Sequence, residues 1–348
     1  MQGSQEKSFS DAYYELDQHT LHAVFATREL QDLFNRSFKA FLRSTANGQS
    51  TEYGSQCGSH HKLYLKIEQV LPVPTASQML WSRGEMPNSI KSSFVCHASK
   101  EDSLIVVDDC VALFTNYQTR ESHLVALPNY QPAALQGLML NAFVDAAHTG
   151  GQIVMHAAAL SLPNQAGLVL IHAPSGTGKT TTSLILMASG FRLASDDLAF
   201  VCSGETPTGY GLPRSLKVHR DTAKLLQWVE PKLSNTEWDS ESERPLHLEN
   251  LEELAPITKP EVMPLVAIMR LTRRPGKSEI KPAKPSDVLA SLVADNVRRG
   301  EMTKGLLPTD RERLKGYAAL VSNLPLFDLF VGEDHCSLAK MVQNACGA

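Results

Sequence analysis

The first clear hydrophobic pattern in the chain is that of an amphipathic helix. Between Arg28 and Arg43 the apolar residues recur at the spacing of one helix face. The polar residues 1–10 before it predict a disordered start. Residues 44–60, which are rich in Ser, Gly, Thr and Gln, predict a linker or a mobile loop.

Short runs with the composition of β-strands follow this loop. They lie close together along the chain, which predicts a small β-rich region. The predicted strands are Lys62–Val70, Ser93–Ala98, Leu104–Val107, Cys110–Thr115 and His123–Leu127. With the helix, they define a predicted N-terminal α+β domain over residues 1–130, for which we expect a role in substrate or partner binding.

From residue 131 to residue 348 strands and helices alternate, which is the order of an α/β domain. A proline near its first turn and two glycines at its end mark a predicted helix over residues 132–148. The acidic stretch 228–262 predicts a surface excursion. Further predicted strands are Gln152–Leu162, Gly167–His172, Phe191–Ser195, Pro264–Leu271 and Leu326–Val331, and further predicted helices are Thr180–Ser189, Ser286–Arg298, Thr309–Ser322 and Ser337–Cys346.

Composition and net charge argue against some classes of protein. The chain has 348 residues, of which 43% are hydrophobic and 20% charged, and its net charge is −4. A general nucleic-acid or anionic-membrane binder would carry a basic surplus, so neither class of partner is expected. The six cysteines form no CxxC pair. No apolar run suits a signal peptide or a membrane span, so we expect a cytoplasmic protein.

The strongest chemical signal is a phosphate-binding loop between a predicted strand and a predicted helix. The pattern G-x-x-x-x-G-K-[ST] is met at 173–180, except that its first position is alanine. Gly176 and Gly178 let backbone N–H groups turn toward an anion without an obstructing Cβ. The helix N-terminus adds partial positive charge. The predicted nucleotide-binding residues are Ala173, Pro174, Ser175, Gly176, Thr177, Gly178, Lys179, Thr180 and Thr181.

Within this loop Lys179 is expected to contact the β- and γ-phosphates, and the Thr180 hydroxyl to ligate Mg²⁺. Adjacent carboxylates, Asp196 and Asp197, follow the predicted strand 191–195. One helix and one strand separate them from Lys179, so we expect them on the strand next to the loop. There they suit metal coordination and proton acceptance from an attacking hydroxyl. Either aspartate can play either role.

Several isolated residues are weaker candidates. His156 interrupts an apolar run, where a histidine is either a satisfied core residue or a group that faces a transferred phosphate. Arginines and a lysine further along the chain can meet an anionic substrate, or can be solvated surface residues. They are Arg214, Lys217 and Arg220 after the core strands and Arg270, Arg273 and Arg274 at a strand end, with Arg214, Lys217 and Arg273 as substrate candidates.

From His156 through the phosphate loop to Asp197 the sequence resembles the HPr kinase/phosphorylase-like family, relatives of phosphoenolpyruvate carboxykinase in their nucleotide-binding core. That family likewise has a histidine, a strand, a G-x-S-G-x-G-K-[ST]-type loop, a helix and a closely following Asp-Asp. The resemblance implies an α/β fold with an HPr-kinase/PEP-carboxykinase-like P-loop core behind a smaller β-rich N-terminal domain. It also places His156 near the transferred phosphoryl group and makes Lys179, Asp196 and Asp197 catalytic.

The resemblance has limits that bear on function. The bifunctional enzymes have Glu where this chain has Thr181, and no copy of their arginine-glycine-rich segment is found. Phosphorylase activity and HPr as substrate are therefore not expected. The chain is more similar to related kinases of biosynthetic gene clusters, some of which phosphorylate a peptide or small-molecule hydroxyl. HPr-type kinases form oligomers, which leaves self-association open.

The resulting hypothesis is a kinase that transfers the γ-phosphoryl group of ATP, with Mg²⁺, to a serine-like hydroxyl of a peptide, protein or small metabolite. GTP remains an alternative donor. Two other functions stay open: a non-catalytic nucleotide-binding sensor or scaffold, and a carboxykinase-type lyase. Transfer to an acceptor separates the kinase from the sensor, and metal-dependent decarboxylation would identify the lyase.

Overall fold

Two units make up the computed structural model, which describes residues 10–17, 19–45, 60–85, 92–164, 167–297 and 308–347. The first unit consists of Met1–Gly151 and Arg298–Glu312, and the second of Gln152–Val297 and Arg313–Ala348. Neither unit is therefore one continuous stretch of chain. Each contains a large mixed sheet, so the protein is a mixed α/β protein.

A nine-stranded sheet forms the first unit, in the order β3-β1-β2-β4-β9-β8-β7-β6-β5. The pairs β2–β4 and β4–β9 are parallel and the remaining pairs are antiparallel. The strands are β1 (Ser10–Leu16), β2 (His19–Phe25), β3 (Leu42–Thr45), β4 (His60–Ile67), β5 (Met79–Glu85), β6 (Ser93–Ala98), β7 (Asp102–Val107), β8 (Val111–Asn116) and β9 (Glu121–Ala126).

Two helices belong to this unit, α1 (Arg28–Phe38) and α2 (Pro132–Thr149). They meet where the Phe38 and Phe143 rings stack at 4.2 Å. α1 ends before the predicted Arg43, because a 3-10 turn leads directly into β3, which pairs with β1. α2, which the sequence assigned to the C-terminal stretch 131–348, instead packs on β8 and β9 and belongs to the first unit.

A buried polar network lies between the first sheet and α2. The two ring nitrogens of His61 lie 2.9 Å from the Thr149 and Ser122 hydroxyls. The Thr115 hydroxyl lies 3.0 Å from Ser122 and donates to Asp145 at 2.9 Å. Each member thus has a partner, as buried polar groups require. The neutral imidazole suits these hydroxyl partners, and burial, with Arg120, lowers the His61 pKa to about 4.

The second unit is built on another nine-stranded sheet, whose main path is β10-β14-β15-β18-β12-β11-β13, with β20 next to β18 and β19 next to β20. The pairs β12–β18 and β18–β20 are parallel. Its strands are β10 (Ile153–His156), β11 (Ala158–Ser161), β12 (Leu168–His172), β13 (Arg192–Ser195), β14 (Leu198–Cys202), β15 (Thr208–Gly211), β18 (Met263–Arg273), β19 (Glu279–Pro282) and β20 (Leu326–Val331).

A separate two-stranded ribbon, β16 (Leu216–His219) with β17 (Glu243–Leu246), completes the strands of this unit. Its helices are α3 (Lys179–Met187), α4 (Arg220–Leu225), α5 (Pro285–Asn296), α6 (Pro308–Asn323) and α7 (Leu338–Ala345), with the first turn of α6 assigned to the first unit. No helix among the described residues is long and apolar enough to cross a membrane.

Helices cover both faces of the second sheet. Along β12 the side chains alternate: Val169 and Ile171 enter a core with α3 and α7, whereas Leu168 and Leu170 enter a core with α5 and α6. A strand that is buried on both faces has a continuous apolar sequence. Such an apolar run is what predicted β12. The phosphate loop thus starts from a fully buried strand.

Several predicted elements differ from the observed ones. The predicted strand Gln152–Leu162 is two strands, broken at Ala157. The predicted surface excursion 228–262 contains β17, which pairs with β16 and buries Leu246. The elements that were not predicted include α4 and the strands β1, β2, β3, β5, β14, β15, β17 and β19. The expectations for residues 1–9 and for most of the loop at 44–60, including Cys57, lie outside the described residues.

We expect the stability of the protein to depend on pH through His61. The unfolded chain gains a proton near pH 6.5, whereas the native imidazole stays neutral to about pH 4. Stability should therefore fall as the pH drops through this window, by about 3 kcal/mol in all. His61→Gln should flatten the dependence of the urea midpoint on pH.

The exposed His60 provides the matched control. His60→Gln removes the same type of side chain without disturbing the network, so its urea midpoints should follow the wild-type curve. Parallel curves for His61→Gln and the wild type would contradict the assignment.

Candidate active site

The loop between β12 and α3 has the backbone of an anion-binding turn. Gly176 and Gly178 have φ values of 77° and 105°, in the left-handed region that favours glycine. Pro174, Ser175 and Gly176 form its exposed crest. Ala173, where the pattern has glycine, is not among the residues with positive φ. Alanine is therefore tolerated there without backbone strain.

Lys179 begins α3 and is only 7% exposed. Its ammonium donates to the Ala173 carbonyl oxygen at 2.7 Å and so closes the loop on itself. Burial lowers the pKa of Lys179, while Asp295 and Asp196 act to raise it. The Lys179 ammonium therefore lies inside the loop and is hydrogen-bonded to a neutral carbonyl oxygen, which an anion can replace.

The guanidinium group of Arg273 lies over Gly178. A methyl group added at Gly178 would come within 2.5 Å of Arg273 Nε. Arg273 is exposed and sits at the end of β18, the parallel neighbour of β12. Since the carboxyl ends of parallel strands meet at one sheet edge, β18 brings this cation to the phosphate loop. The sequence proposed Arg273 as a substrate residue on weaker grounds.

The aspartate pair lies at a double interruption of the sheet. Ala157 separates β10 from β11, and Asp196–Asp197 separates β13 from β14. Because β10 pairs with β14 and β11 with β13, the two interruptions lie side by side. The Ala157 N–H donates to the Asp197 carbonyl oxygen at 3.0 Å. Both carboxylates are thus presented at the end of β10, where His156 lies.

The expectation that the pair lies on the strand next to the phosphate loop is wrong. β11 lies between β12 and β13. β11 is antiparallel to both, so β12 and β13 run in the same direction and end at the same edge. The Asp196 carboxylate still reaches α3, where it accepts a hydrogen bond from the Thr180 hydroxyl at 3.0 Å.

The two aspartates have different surroundings. Asp196 is 8% exposed and faces Thr180; burial raises its pKa, and Arg214, the Thr180 hydrogen bond and Lys179 oppose that rise. Asp197 is more exposed, forms an ion pair with Arg214 and lies 3.2 Å from His156 Nε2. The structure therefore separates a buried carboxylate beside the loop from a more accessible one beside a histidine and an arginine.

Arg214 reaches this position because its backbone segment packs closely on β13. Gly211, the last residue of β15, has no room for a side chain, since a Cβ there would overlap the Ala194 carbonyl oxygen. This close approach carries the chain from β15 past the end of β13 to Asp197.

His156 lies between two carboxylates. Its Nε2 faces Asp197, and its Nδ1 lies 2.9 Å from Asp295 Oδ2 at the end of α5. Burial and then Lys179 lower the pKa of His156, while Asp295 and Asp196 act to raise it. A neutral imidazole in this position can donate to one carboxylate, and its other nitrogen can accept only when the carboxyl group that faces it is protonated.

Some predicted candidates are engaged elsewhere. The Thr181 hydroxyl lies 2.7 Å from that of Thr222 on α4, away from the loop interior. Lys217 lies on the two-stranded ribbon, 3.5 Å from Glu243. Other arginine candidates also have structural partners: Arg270 binds Asp328, Arg274 binds Glu279 and Arg220 lies over the Trp238 ring.

Sequence reasoning missed the polar end of α5 and one histidine. Asp295 and Asn296 both contact His156, and Ser291 lies 3.0 Å from Nε2 of the fully buried His172. Ser291 and Asp295 are four residues apart on a helix whose buried stripe includes Val288 and Leu292. A polar pair beside an apolar stripe was the available signal, but nothing in the sequence connected it to His156.

No group of three or more His, Cys, Asp or Glu side chains that could hold a metal ion occurs among the described residues. The oxygen pair formed by the Thr180 hydroxyl and the Asp196 carboxylate is of the kind that binds Mg²⁺ together with phosphate oxygens. The donor set therefore fits a magnesium–nucleotide complex.

Comparison with known solved structures gives a distant likeness. No protein-family model matches this sequence, and no curated protein has significant sequence similarity to it. Among solved structures, the chain is similar to the Hpr(Ser) kinase/phosphatase from Coxiella burnetii, at 15% identity and a TM-score of 0.28. The match covers 55% of this chain and 94% of that one. The functional argument therefore depends on the site itself.

We expect Gly178→Ala to weaken binding of MgATP by about tenfold or more, which calorimetry would measure. An alanine at φ 105° is strained by about 1–2 kcal/mol, and its methyl group would displace Arg273 from the loop. Gly190→Ala, at the other end of α3, is the control: its φ is 94°, but its Cβ would meet only Pro163, at 3.9 Å. Equal MgATP affinities for the two variants would contradict the loop assignment.

Proposed function

We propose that the protein is a nucleoside-triphosphate-dependent kinase that transfers the γ-phosphoryl group to a hydroxyl. The observation that carries the proposal is the convergence of Lys179, the Thr180–Asp196 pair and the His156–Asp197–Arg214 group at one edge of the second sheet. ATP is the expected donor, with GTP as the alternative. The acceptor is a serine-like hydroxyl of a peptide, a protein or a small metabolite.

The phosphate loop would bind the donor through backbone N–H groups and Lys179. A phosphate oxygen would replace the Ala173 carbonyl oxygen as the partner of the Lys179 ammonium. Arg273, which already lies over Gly178, would add a second positive charge near the phosphates. In phosphoryl transfer most of the rate enhancement comes from such positioning and charge neutralisation.

Thr180 and Asp196 would hold Mg²⁺. The bound ion would neutralise charge on the β- and γ-phosphates during transfer. A carboxylate that is buried beside a cation and a hydroxyl is suited to this task, because a bound cation favours its ionised form over the neutral form that burial alone promotes.

Asp197 would accept the proton of the attacking hydroxyl. It is the more accessible of the two aspartates, and His156 Nε2 lies 3.2 Å away. Arg214 forms an ion pair with Asp197. When substrates bind, Arg214 would turn from Asp197 to the transferred phosphoryl group or to the acceptor. Lys217, which is exposed on the ribbon, remains a proposed acceptor contact.

We propose that the second unit has an HPr-kinase-like P-loop core, on the grounds of the residues from His156 to Asp197. We further propose that the first unit selects the acceptor or binds a partner protein, with self-association as an additional property. Nucleic acid and membrane are not among the proposed partners. Asp196 and Asp197 would then have separate roles, in metal binding and proton acceptance.

The proposal is tested with γ-labelled ATP, Mg²⁺ and a cell extract fractionated into small molecules, peptides and proteins. We expect label in one fraction. Lys179→Ala should weaken ATP binding about tenfold to a hundredfold, since it removes a charged hydrogen bond. Asp197→Asn should retain ATP binding and lower the transfer rate about a hundredfold or more, since it removes the proton acceptor.

The control is Lys224→Ala, which removes an exposed lysine of α4 that pairs only with Asp221 within the described structure. Its transfer rate should equal that of the wild type. If ATP binds but label reaches water alone, the kinase proposal fails and a nucleotide sensor takes its place. Metal-dependent decarboxylation of an oxyacid would instead identify a carboxykinase-type lyase.

A further inference from the structure

The last turn of α5 holds the catalytic candidate His156 by two separate contacts. The Asn296 side-chain oxygen accepts the His156 backbone N–H at 2.6 Å. Asp295 Oδ2 lies 2.9 Å from the ring atom His156 Nδ1. Asn296 thus holds the backbone of the strand, and Asp295 holds the imidazole ring. These tasks are separable, because loss of either side chain leaves the other contact in place.

Asp295 also lies near a second histidine of the site. It lies 3.8 Å from His172 Nδ1, on the strand that leads into the phosphate loop. His172 itself is fixed by the Ser291 hydroxyl and the His156 carbonyl oxygen, at 3.0 and 3.2 Å. In the described structure the nearest ring to the Asp295 carboxylate is therefore that of His156.

The geometry decides what Asp295 does to that ring. A carboxylate only accepts hydrogen bonds, so Nδ1 must carry a proton to bond with Asp295. The Nδ1–Asp295 contact is a hydrogen bond, whereas Nε2 lies at an ion-pair distance of 3.2 Å from Asp197. In the neutral imidazole Nε2 is therefore the unprotonated nitrogen, and it can accept a proton from Asp197 once that carboxyl has received one. The tautomer of a histidine is set in this way by the partner of its other nitrogen.

We infer that Asp295 is a positioning residue for the proposed phosphoryl transfer: it holds His156 with Nδ1 protonated, so that Nε2 can receive a proton from Asp197. This inference rests on the proposed kinase function. Asp295 acts through His156 and contacts neither the donor-binding loop residues nor Asp197.

The proposed transfer then balances as follows. The acceptor oxygen forms a bond to the γ-phosphorus while the bond from that phosphorus to the bridging oxygen breaks, which releases the nucleoside diphosphate. The hydroxyl proton passes to Asp197 and from there to His156 Nε2. The resulting imidazolium lies between the carboxylates of Asp295 and Asp197, and the proton is afterwards lost to solvent.

A purely structural role for Asp295 predicts a different outcome from a positioning role. If it only anchored α5, its loss would loosen β10 and lower nucleotide affinity and stability together. Because Asn296 holds the His156 backbone independently, we expect Asp295→Asn and Asp295→Ala to leave the fold and MgATP affinity nearly unchanged. The change should appear in the His156 ring and in the transfer rate.

The test is NMR of the full chain with ¹⁵N-labelled histidine, combined with MgATP binding and label transfer to the fraction that accepts phosphate. In the wild type the His156 Nδ1 signal should be that of a protonated nitrogen and the Nε2 signal that of an acceptor. Asp295→Asn and Asp295→Ala should shift the ring toward protonation at Nε2. Transfer should fall on the order of tenfold to a hundredfold, with MgATP affinity changed less than about twofold.

Asp287→Asn is the matched control, since Asp287 is an exposed aspartate in the first turn of the same helix. It should leave the His156 signals and the transfer rate as in the wild type. His156 signals that stay unchanged in both Asp295 variants would overturn the inference, and so would an unchanged transfer rate. If the wild type binds MgATP but labels no fraction, the kinase proposal fails and with it the catalytic role of Asp295; a ring shift would then mark Asp295 as a structural anchor alone.

Discussion

The burial of charge at the start of α3 is the constraint on which the second unit depends. A lysine that is 7% exposed is stable only if nearby groups compensate its lost hydration. Here the Ala173 carbonyl oxygen contacts it, and the carboxylates of Asp196 and Asp295 favour its charged form. Asp196 in turn is balanced by Arg214. The site is thus one connected set of charges, whose members offset part of one another's desolvation cost.

The carboxylates of Asp196 and Asp197 lie where the strand pairing of the second sheet is interrupted. If β10 and β11 formed one unbroken strand, the backbone groups at Ala157 and Asp196–Asp197 would pair in a continuous ladder, and the aspartate side chains would alternate between the two buried faces. At the paired interruption the Asp196 carboxylate contacts Thr180 instead, and the Asp197 carboxylate contacts His156 and Arg214. The Ser195 hydroxyl accepts the N–H groups of Asp197 and Leu198 and so satisfies the irregular backbone. Side-chain hydrogen bonds therefore compensate for the backbone hydrogen bonds that are lost where the strand pairing is interrupted.

Sequence reasoning succeeded for elements of the fold that depend on residue types at short spacing. The phosphate loop, α3 and the adjacent aspartates follow from local rules on glycine, helix ends and buried strands, and most helices and strands after Pro132 were predicted within a few residues. It failed where the determining contact is distant in the chain. Asp295 meets His156 across 139 positions, and β13 and β14 could be placed only through their partners β11 and β10. β1 and β2 were missed because their alternation mixes histidine, tyrosine and acidic residues with apolar ones.

The discontinuity of the two units has a consequence for how the protein is made. Thr309 and Asp310 are buried in the first unit, and the Thr309 hydroxyl contributes a hydrogen bond to Tyr117. These residues leave the ribosome only after the phosphate loop, the aspartate pair and α5. Chains usually fold domain by domain from the N-terminus. In this chain the first unit, with nine strands already synthesised, still lacks a segment that lies after the proposed catalytic residues of the second unit in sequence. The first unit can therefore be complete only after the residues of the proposed active site have been translated.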